Sequence, residues 1–341
     1  MNALVASLDL FRQHGGKIDA ASAVFPGAQR PWMDLSTGIS PWAYPHASLP
    51  VAAFTRLPEP GLVAQLERAA ADAFEVPDAG QVVAVPGTDL GLRLLEPIFQ
   101  GRRIAVVRPG YSGHLLAWRR SPVVEVSADS LEAAAESNDV VVLANPNNPD
   151  GRVIPPDRLR KLARALASRD GTLVIDEAYA DVAPENSLCA EAGDNLIIFR
   201  SFGKFFGLAG VRLGFVITST TYARSFRQLV GDWPVCGPAA VIGQMAYRDL
   251  KWQSAQRERL KQASGRLDAL LAEAKLDLVG GTPLYRLARC ADADTLFQQF
   301  AAHGILIRPF NDDPRLVRIG LPADEQQWGR LREALKVRSQ S

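Results

Sequence analysis

The chain has 341 residues, of which 38 are Lys or Arg and 37 are Asp or Glu, so its formal net charge is +1. This length allows about two domains with large cores and excludes a small scaffold held together by cross-links. The balanced charge provides no bulk field for nucleic acid or an anionic membrane, so the expected partner is a small molecule.

The three cysteines, Cys189, Cys236 and Cys290, are odd in number and far apart. Their spacing fits neither a disulfide framework nor a zinc site, so we expect ordinary thiols in a reducing compartment and no metal centre. The first ten residues have no basic stretch before an apolar one, and no apolar run approaches about 18 residues. We therefore expect a cytoplasmic protein without a membrane span.

Residues 1–60 are rich in Pro, Gly, Trp and His and show little sustained periodicity. This pattern predicts an irregular arm with one short helix at its start. Its distinctive parts are His14-Gly15-Gly16 and residues 34–41. Taken alone, His14 is most simply a surface turn residue.

The next segment predicts a helix over residues 62–74, a strand over 81–85 and a further helix that ends at Phe99. Residues 86–89, Pro-Gly-Thr-Asp, separate this strand from the second helix. Free N–H groups at the start of a helix favour an anion, so this turn is a candidate phosphate site, although most such turns bind nothing.

Short apolar runs at residues 104–107, 123–126, 140–143 and 173–175 are separated by helical segments such as 156–168. Continuous apolar strands between helices predict an α/β fold with a mostly parallel sheet covered on both faces. Ligands of such sheets gather at the carboxyl ends of the strands. Those ends carry an aromatic ring, amides, a carboxylate with a phenol and a lysine: Tyr111, Asn145, Asn147, Asn148, Asp176, Tyr179 and Lys204.

Lys204 lies between a strand that ends at Ser201 and a glycine-rich return into a second apolar run over residues 211–218. A lysine among apolar neighbours becomes a nucleophilic amine that can form a Schiff base with a carbonyl. Ser201 and Arg212 could hold a phosphate beside it, and the combination suggests pyridoxal phosphate. The simpler interpretation of this stretch alone is a capped turn followed by a solvated lysine.

The pattern changes after residue 235 to one long predicted helix over residues 239–274. Short strands at 284–287, 305–308 and 316–321 follow, with helices at 293–302 and 323–337. Arg308 and Arg318 lie on these strands, where a solvated surface charge is the default interpretation. The expected organisation is an arm (1–45) that packs with the small domain and the active site, a large cofactor domain (46–235) and a small α+β domain (236–341).

Pyridoxal phosphate needs a carboxylate that keeps its pyridine nitrogen protonated, and Asp176 suits this role at the end of an apolar strand. Its 3-oxygen needs donors, which Asn148 and Tyr179 can supply, and Tyr111 can stack on its ring. The candidate cofactor-binding residues are Gly87, Thr88, Asp89, Tyr111, Asn148, Asp176, Tyr179, Ser201, Lys204 and Arg212. Lys204, Asp176 and Tyr179 are the candidate catalytic residues.

Four motifs, at residues 145–151, 176–179, 201–204 and 210–214, stand in an order and spacing that resemble the fold-type I pyridoxal-phosphate enzymes. The resemblance is to the branch that contains histidinol-phosphate aminotransferases and threonine-phosphate decarboxylases. It implies a large domain with a mostly parallel seven-stranded sheet, a smaller α+β domain and a homodimer.

The arm is similar to the opening of the threonine-phosphate decarboxylases of cobalamin biosynthesis. This resemblance implies decarboxylation of O-phospho-L-threonine to (R)-1-amino-2-propanol O-2-phosphate, with Arg308 and Arg318 anchoring the two anionic ends of the substrate. It further implies that freed Lys204 protonates Cα after carbon dioxide leaves. The implied substrate-binding residues are His14, Gly15, Gly38, Asn148, Arg308 and Arg318.

Three residues depart from the family pattern. Gly38 replaces an Asn that contacts substrate in many relatives, and Pro86 replaces the usual Asn before the glycine of the phosphate turn. Leu57 replaces a Tyr that reaches the neighbouring subunit's cofactor phosphate.

Three alternatives stay open at this point. An aminotransferase of the histidinol-phosphate type would share every cofactor residue. The others are a non-catalytic cofactor-binding module, such as the sensor half of a regulator, and a lysine enzyme that works without a cofactor.

Overall fold

The computed structural model describes residues 2–336, with side chains from residue 8 onward. Contacts divide the chain into two compact units, a larger one of residues 43–148 and 152–255, and a smaller one that comprises the rest. Residues 236–255 fall in the larger unit in this grouping, and the three-part division at residues 45 and 235 stays a prediction. Within residues 2–336, no helix combines the length and apolarity that crossing a membrane requires.

Fifteen α-helices and thirteen strands lie in the described part of the chain. The helices are α1 (Asn2–Gln13), α2 (Ile18–Val24), α3 (Ala52–Thr55), α4 (Pro60–Ala73), α5 (Thr88–Arg93), α6 (Leu95–Ile98), α7 (Ser112–Leu116), α8 (Leu131–Ser137), α9 (Pro156–Ala167), α10 (Phe202–Phe205), α11 (Thr220–Val230), α12 (Gly237–Arg248), α13 (Leu250–Glu273), α14 (Ala293–Ala302) and α15 (Glu325–Lys336). The strands are β1 (Met33–Asp34), β2 (Val82–Val85), β3 (Ile104–Val107), β4 (Val123–Val126), β5 (Val140–Ala144), β6 (Thr172–Asp176), β7 (Leu196–Ser201), β8 (Gly214–Ile217), β9 (Asp277–Thr282), β10 (Tyr285–Arg289), β11 (Ile305–Leu306), β12 (Arg308–Pro309) and β13 (Leu316–Gly320).

The larger unit is built on a seven-stranded sheet with the spatial order β2-β8-β7-β6-β5-β3-β4. Strands β4, β3, β5, β6 and β7 pair in parallel, whereas β8 is antiparallel to both of its neighbours. The predicted mostly parallel sheet of seven strands is therefore confirmed. All residues of β2, β3, β5, β6 and β8 are buried, which explains their continuous apolar sequences, since both faces of the sheet are covered.

The register of the central strands brings the predicted site residues to one edge of this sheet. Ala144 of β5 pairs with Asp176 of β6, which in turn pairs with Phe199 of β7. On the antiparallel side, Ser201 at the end of β7 pairs with Gly214 at the start of β8. The residues that follow β5, β6 and β7 therefore leave the sheet side by side.

The smaller unit contains an antiparallel sheet with the order β12-β13-β10-β9. Strand β1 pairs in parallel with β11, with Met33 opposite Ile305 and Asp34 opposite Leu306. The prediction of an irregular arm with one short helix is therefore wrong, because residues 2–60 form α1, α2, β1 and α3. A strand of two residues is too short to show a periodic pattern, so the sequence could not indicate it.

The single helix predicted over residues 239–274 is also wrong. The chain leaves helical geometry at Asp249, where φ is −88° and ψ is 71°. The Asp249 carboxylate accepts a hydrogen bond from the N–H of Trp252 at 2.9 Å, so Asp249 caps the start of α13. The helix predicted to run to Phe99 is likewise divided into α5 and α6, and the predicted residue 337 of the last helix lies outside the described residues.

Strand β9 lacks the alternation by which a strand is predicted. Leu278 and Val279 are both exposed, and Gly281 has a φ of +142° next to a register shift against β10. Two neighbouring exposed apolar residues followed by glycines do not show a period of two. The sequence therefore predicted only the partner strand β10.

Candidate functional site

The larger unit holds a cavity of about 140 Å³ at the carboxyl edge of its sheet. All ten candidate cofactor-binding residues line it. They are Gly87, Thr88, Asp89, Tyr111, Asn148, Asp176, Tyr179, Ser201, Lys204 and Arg212, joined by Ala144, Pro146, Ala178, Gly203, Ala209 and Leu213. Residues from six separate stretches of sequence thus meet around one space.

Asp176, the last residue of β6, is the buried carboxylate of this cavity. The residue is 5% exposed, and its Oδ1 accepts a hydrogen bond from the N–H of Ala178 at 3.1 Å. Its Oδ2 lies 2.9 Å from Nε2 of His114, which is 1% exposed. Because a carboxylate only accepts, this contact assigns the proton to Nε2. His114 was not predicted; the available signal was its position three residues after Tyr111, which directly precedes α7.

Lys204 is the third residue of α10, which begins directly after β7. Its neighbours Phe202 and Phe205 are buried, and Lys204 itself is half-buried. The Lys204 Nζ atom lies 6.0 Å from the centroid of the Tyr179 ring. The amine therefore lies near the phenol at this edge of the sheet, and the simpler interpretation of a solvated lysine is wrong, since Lys204 is half-buried.

The turn between β2 and α5 lies close to Arg212 and to the start of β8, and glycines at residues 87 and 214 make both approaches possible. Gly87 has a φ of +87°, and a Cβ there would lie 2.5 Å from Nη2 of Arg212. A Cβ on Gly214 would lie 2.8 Å from the N atom of Thr88. Arg212 itself has a φ of +54°, in the left-handed region that residues other than glycine rarely adopt. The guanidinium and the backbone turn thus converge, as a phosphate subsite requires.

The loop after β5 uses two of its three asparagines to hold its own shape. Asn145 Oδ1 accepts a hydrogen bond from the N–H of Ile154 at 2.8 Å, and Asn147 Nδ2 donates to the carbonyl of Pro109 at 3.0 Å. Asn148 lies at the cavity. Asn145 and Asn147 therefore support the local structure, and Asn148 is the asparagine that could contact a ligand.

A buried ion cluster lies next to the cavity in sequence. Arg200, which precedes Ser201, contacts Glu177 Oε2 at 3.3 Å and pairs through Nη2 with Asp181 Oδ1. Glu177, which follows Asp176, also accepts a hydrogen bond from Ser187 Oγ at 2.6 Å. Burial raises the pKa of Glu177, and the attraction of Arg200 partly offsets this rise. The cluster joins the ends of β6 and β7, and no pattern in the sequence predicted it.

The candidate substrate-binding residues other than Asn148 belong to the smaller unit. Arg308 and Arg318 are 8% and 2% exposed, so the default interpretation of solvated surface charges is wrong. Arg308 Nη2 donates to the carbonyl of Gln13 at 2.9 Å, next to His14, which is exposed. Gly38 is buried. The assignment of these residues to a substrate stays a prediction.

The sequence model of the family "Aminotransferase class I and II" matches residues 52–335. The chain is 40% identical to a threonine-phosphate decarboxylase of Pseudomonas aeruginosa over 329 residues, which are 95% of this chain and 97% of the relative. It is 36% identical to a threonine-phosphate decarboxylase of Sinorhizobium sp over 326 residues, which are 94% of this chain and 97% of the relative.

Solved structures show the same fold. A histidinol-phosphate aminotransferase from Sinorhizobium meliloti, in complex with pyridoxal-5'-phosphate, superposes with a TM-score of 0.79 at 22% identity. The match covers 100% of this chain and 98% of that protein. The predicted fold-type I architecture is therefore confirmed.

The buried ion cluster predicts a large stability effect for Arg200→Met. This variant keeps most of the side-chain volume but leaves Glu177 and Asp181 buried together without a cation, at a cost of about 3–5 kcal/mol. We expect a matching fall in the free energy of unfolding measured by urea denaturation. The control is Arg103→Met, which removes an exposed pair with Asp139 and should have a much smaller effect. Equal effects of the two substitutions would contradict this account of the cluster.

Proposed function

The chain belongs to the aminotransferase class I and II family, its cofactor is pyridoxal 5'-phosphate, and we propose that it decarboxylates O-phospho-L-threonine to (R)-1-amino-2-propanol O-2-phosphate for cobalamin biosynthesis. The observation that carries this proposal is the similarity to two threonine-phosphate decarboxylases over nearly the whole chain. The cavity supports it, since every predicted cofactor residue lines one space.

The end of the cavity that would hold the cofactor's phosphate is the part whose residues best match the group expected there. Thr88, Ser201 and Arg212 would hold the phosphate, and Gly87 leaves room for the guanidinium beside the turn. Tyr111 would cover one face of the ring, and its hydroxyl donates to Asp89 Oδ1 at 3.3 Å, which orients the phenol. Hydroxyl, guanidinium and backbone donors together match the acceptor oxygens of a phosphate monoester.

Bound in this cavity, pyridoxal phosphate supplies an electron sink for the bond that breaks at the substrate Cα. Asp176 would hold a proton at the pyridine nitrogen, and His114 keeps the carboxylate oriented by donating to its Oδ2. Asn148 and Tyr179 would donate to the 3-oxygen. A carboxylate fixed by two donors needs no reorganisation as charge develops nearby.

Lys204 would carry two tasks in this reaction. Its Nζ would hold the cofactor at its aldehyde, and the same amine would supply the proton that replaces carbon dioxide at the substrate Cα. His14, Gly15, Arg308 and Arg318 would position the substrate's phosphate and carboxylate. The direction in which these residues hold the carboxylate would select decarboxylation.

The second candidate function is an aminotransferase of the histidinol-phosphate type, which needs the same cofactor residues. The identities of 40% and 36% to two threonine-phosphate decarboxylases, over 95% and 94% of this chain, favour decarboxylation. A free keto acid is required only by the aminotransferase, so the two activities are separable in one assay.

The proposed reaction predicts carbon dioxide release without a keto acid. Incubation with carboxyl-labelled O-phospho-L-threonine should give labelled carbon dioxide in catalytic excess over the enzyme. Lys204→Ala should lower this rate by about 100-fold to 10,000-fold because it removes the proton donor, whereas the exposed Lys161→Ala should not change it. Turnover that appears only with 2-oxoglutarate would instead establish the aminotransferase.

The contact between His114 and Asp176 predicts weaker cofactor binding for His114→Phe. The ring volume is kept, but the buried carboxylate loses a donor, a loss that corresponds to about a tenfold or greater rise in the cofactor's dissociation constant. Titration of the protein with pyridoxal phosphate, followed by absorbance, measures this constant. The control is His303→Phe, a half-buried imidazole that contacts a backbone carbonyl in the smaller unit. Unchanged affinity in His114→Phe would show that the contact is dispensable.

We further propose a homodimer and a cytoplasmic location. Phe54, Leu57 and Trp233 are largely exposed and line one groove of the larger unit, which also contains Arg212 of the cofactor cavity. An exposed apolar groove is typical of an interaction surface, and a second copy there would lie beside the phosphate end. The location rests on the free thiols, two of them buried.

The dimer predicts a mass twice the 36.9 kDa of one chain in light scattering after size exclusion. Leu57→Asp should shift the protein toward one chain because it places a charge in the groove. Val153→Asp, at an exposed apolar residue outside the groove, is the control. The mass of a single chain for the unchanged protein, or of a stable dimer for Leu57→Asp, would contradict the proposal.

A further inference from the structure

Ser36, in the smaller unit, makes a set of contacts that the proposed function does not use. It is 1% exposed. Its Oγ accepts a hydrogen bond from the N–H of Gly16 at 2.9 Å and donates to Asp34 Oδ1 at 2.5 Å. A hydroxyl has one proton, and since this proton goes to Asp34, the oxygen's lone pairs are left for Gly16. Asp34 therefore fixes the direction in which Ser36 accepts.

Gly15 approaches Ser36 more closely than any other residue type could. A Cβ on Gly15 would lie 2.6 Å from both the carbonyl oxygen and Oγ of Ser36. Gly16, the next residue, has a φ of +82°, a conformation that side chains rarely adopt. The His14-Gly15-Gly16 turn therefore packs on Ser36, and this contact requires glycine at residue 15, whereas the positive φ favours glycine at residue 16.

The carbonyl of Ser36 contacts Arg318, one of the two arginines predicted to anchor the anionic ends of the substrate. Arg318 Nη2 donates to this carbonyl at 2.8 Å, and the guanidinium lies 4.9 Å from the centroid of the Tyr285 ring. A planar guanidinium that donates at one corner to a fixed acceptor has its remaining donors pointed in set directions. Ser36 thus orients Arg318 through its backbone and the His14 turn through its side chain.

Strands on both sides fix the position of Ser36 itself. The preceding residue, Leu35, donates its N–H to the carbonyl of Leu306 at 2.8 Å and accepts from the N–H of Gly320 at 2.7 Å. These partners lie in β11 and β13, the elements that flank β12, which carries Arg308. The arrangement of turn and arginine is therefore built into the sheet of the smaller unit.

We propose that Ser36 is a positioning residue for the substrate, which holds the His14-Gly15-Gly16 turn and Arg318 in one arrangement before a phosphorylated amino acid binds. This inference rests on the proposed function, because it takes His14, Gly15 and Arg318 as substrate contacts. It assigns no contact with the substrate to Ser36. Removal of its hydroxyl should therefore weaken substrate binding through the turn alone and leave the larger unit's cofactor cavity unchanged.

The test is calorimetric titration of cofactor-loaded Lys204→Ala protein with O-phospho-L-threonine, so that binding is measured while turnover is slowed. Ser36→Ala and Gly15→Ala, each added to this background, should raise the dissociation constant about tenfold or more. Gly27→Ala is the matched control, since a Cβ there meets no atom within 4 Å. Asp34→Asn keeps an acceptor for the Ser36 hydroxyl and should restore most of the affinity that Asp34→Ala loses.

Two readouts separate positioning from a general loss of structure. The absorbance of bound cofactor should match that of Gly27→Ala in all four variants, and the losses of affinity should not follow the falls in melting temperature. Affinities equal to that of the control would overturn the inference, as would affinity losses that follow losses of cofactor and melting temperature. If the Lys204→Ala protein without further changes does not bind O-phospho-L-threonine, the proposed function fails first and the inference fails with it.

Discussion

A buried carboxylate at the end of a parallel strand, Asp176, is the group on which the other cavity residues depend. A charge in this position is costly to bury unless donors and a cation compensate it. His114 and the N–H of Ala178 supply two donors, and the protonated pyridine of the cofactor would supply the cation. The parallel sheet makes this possible because it delivers the ends of β5, β6 and β7 to the same edge.

The residues next to Asp176 and Ser201 in the sequence have a structural role and not a role in ligand chemistry. Glu177 and Arg200 are buried with Asp181, and their pairing connects the two strand ends that carry the carboxylate and the hydroxyl. Such a cluster contributes little net stability compared with apolar packing, but removal of one member leaves an uncompensated charge. Its consequence here is geometric, since neither strand end can move without separating the pair.

The sequence predicted the parts of the fold that depend on continuous patterns. The buried strands read as unbroken apolar runs because helices cover both faces of the sheet. The ten candidate cofactor-binding residues could be chosen because motifs place them at or near strand ends. His114 was missed because one histidine in a helix of five residues carries no pattern of its own. The two-residue strand β1 and the helix break at Asp249 were also missed. Each depends on individual hydrogen bonds, which leave no mark on the periodicity of the sequence.

Burial of the two arginines could not be predicted either. Arg308 and Arg318 are each a single charge among apolar residues on short strands, where a charge in water was the default interpretation. The tertiary contacts with the carbonyls of Gln13 and Ser36 show that both are buried instead. The same contacts show why the arm has helices and a strand: it is paired along β11 and held by side chains from the neighbouring strands.

The most direct test of the central claim is the ¹⁵N NMR signal of the pyridine nitrogen in protein reconstituted with ring-¹⁵N pyridoxal phosphate. The account predicts the shift of a protonated nitrogen in the unchanged protein, retained at a pH where the free cofactor has lost that proton, and a deprotonated nitrogen in Asp176→Asn. A deprotonated nitrogen in the unchanged protein, or a proton that survives the substitution, would contradict the role of Asp176.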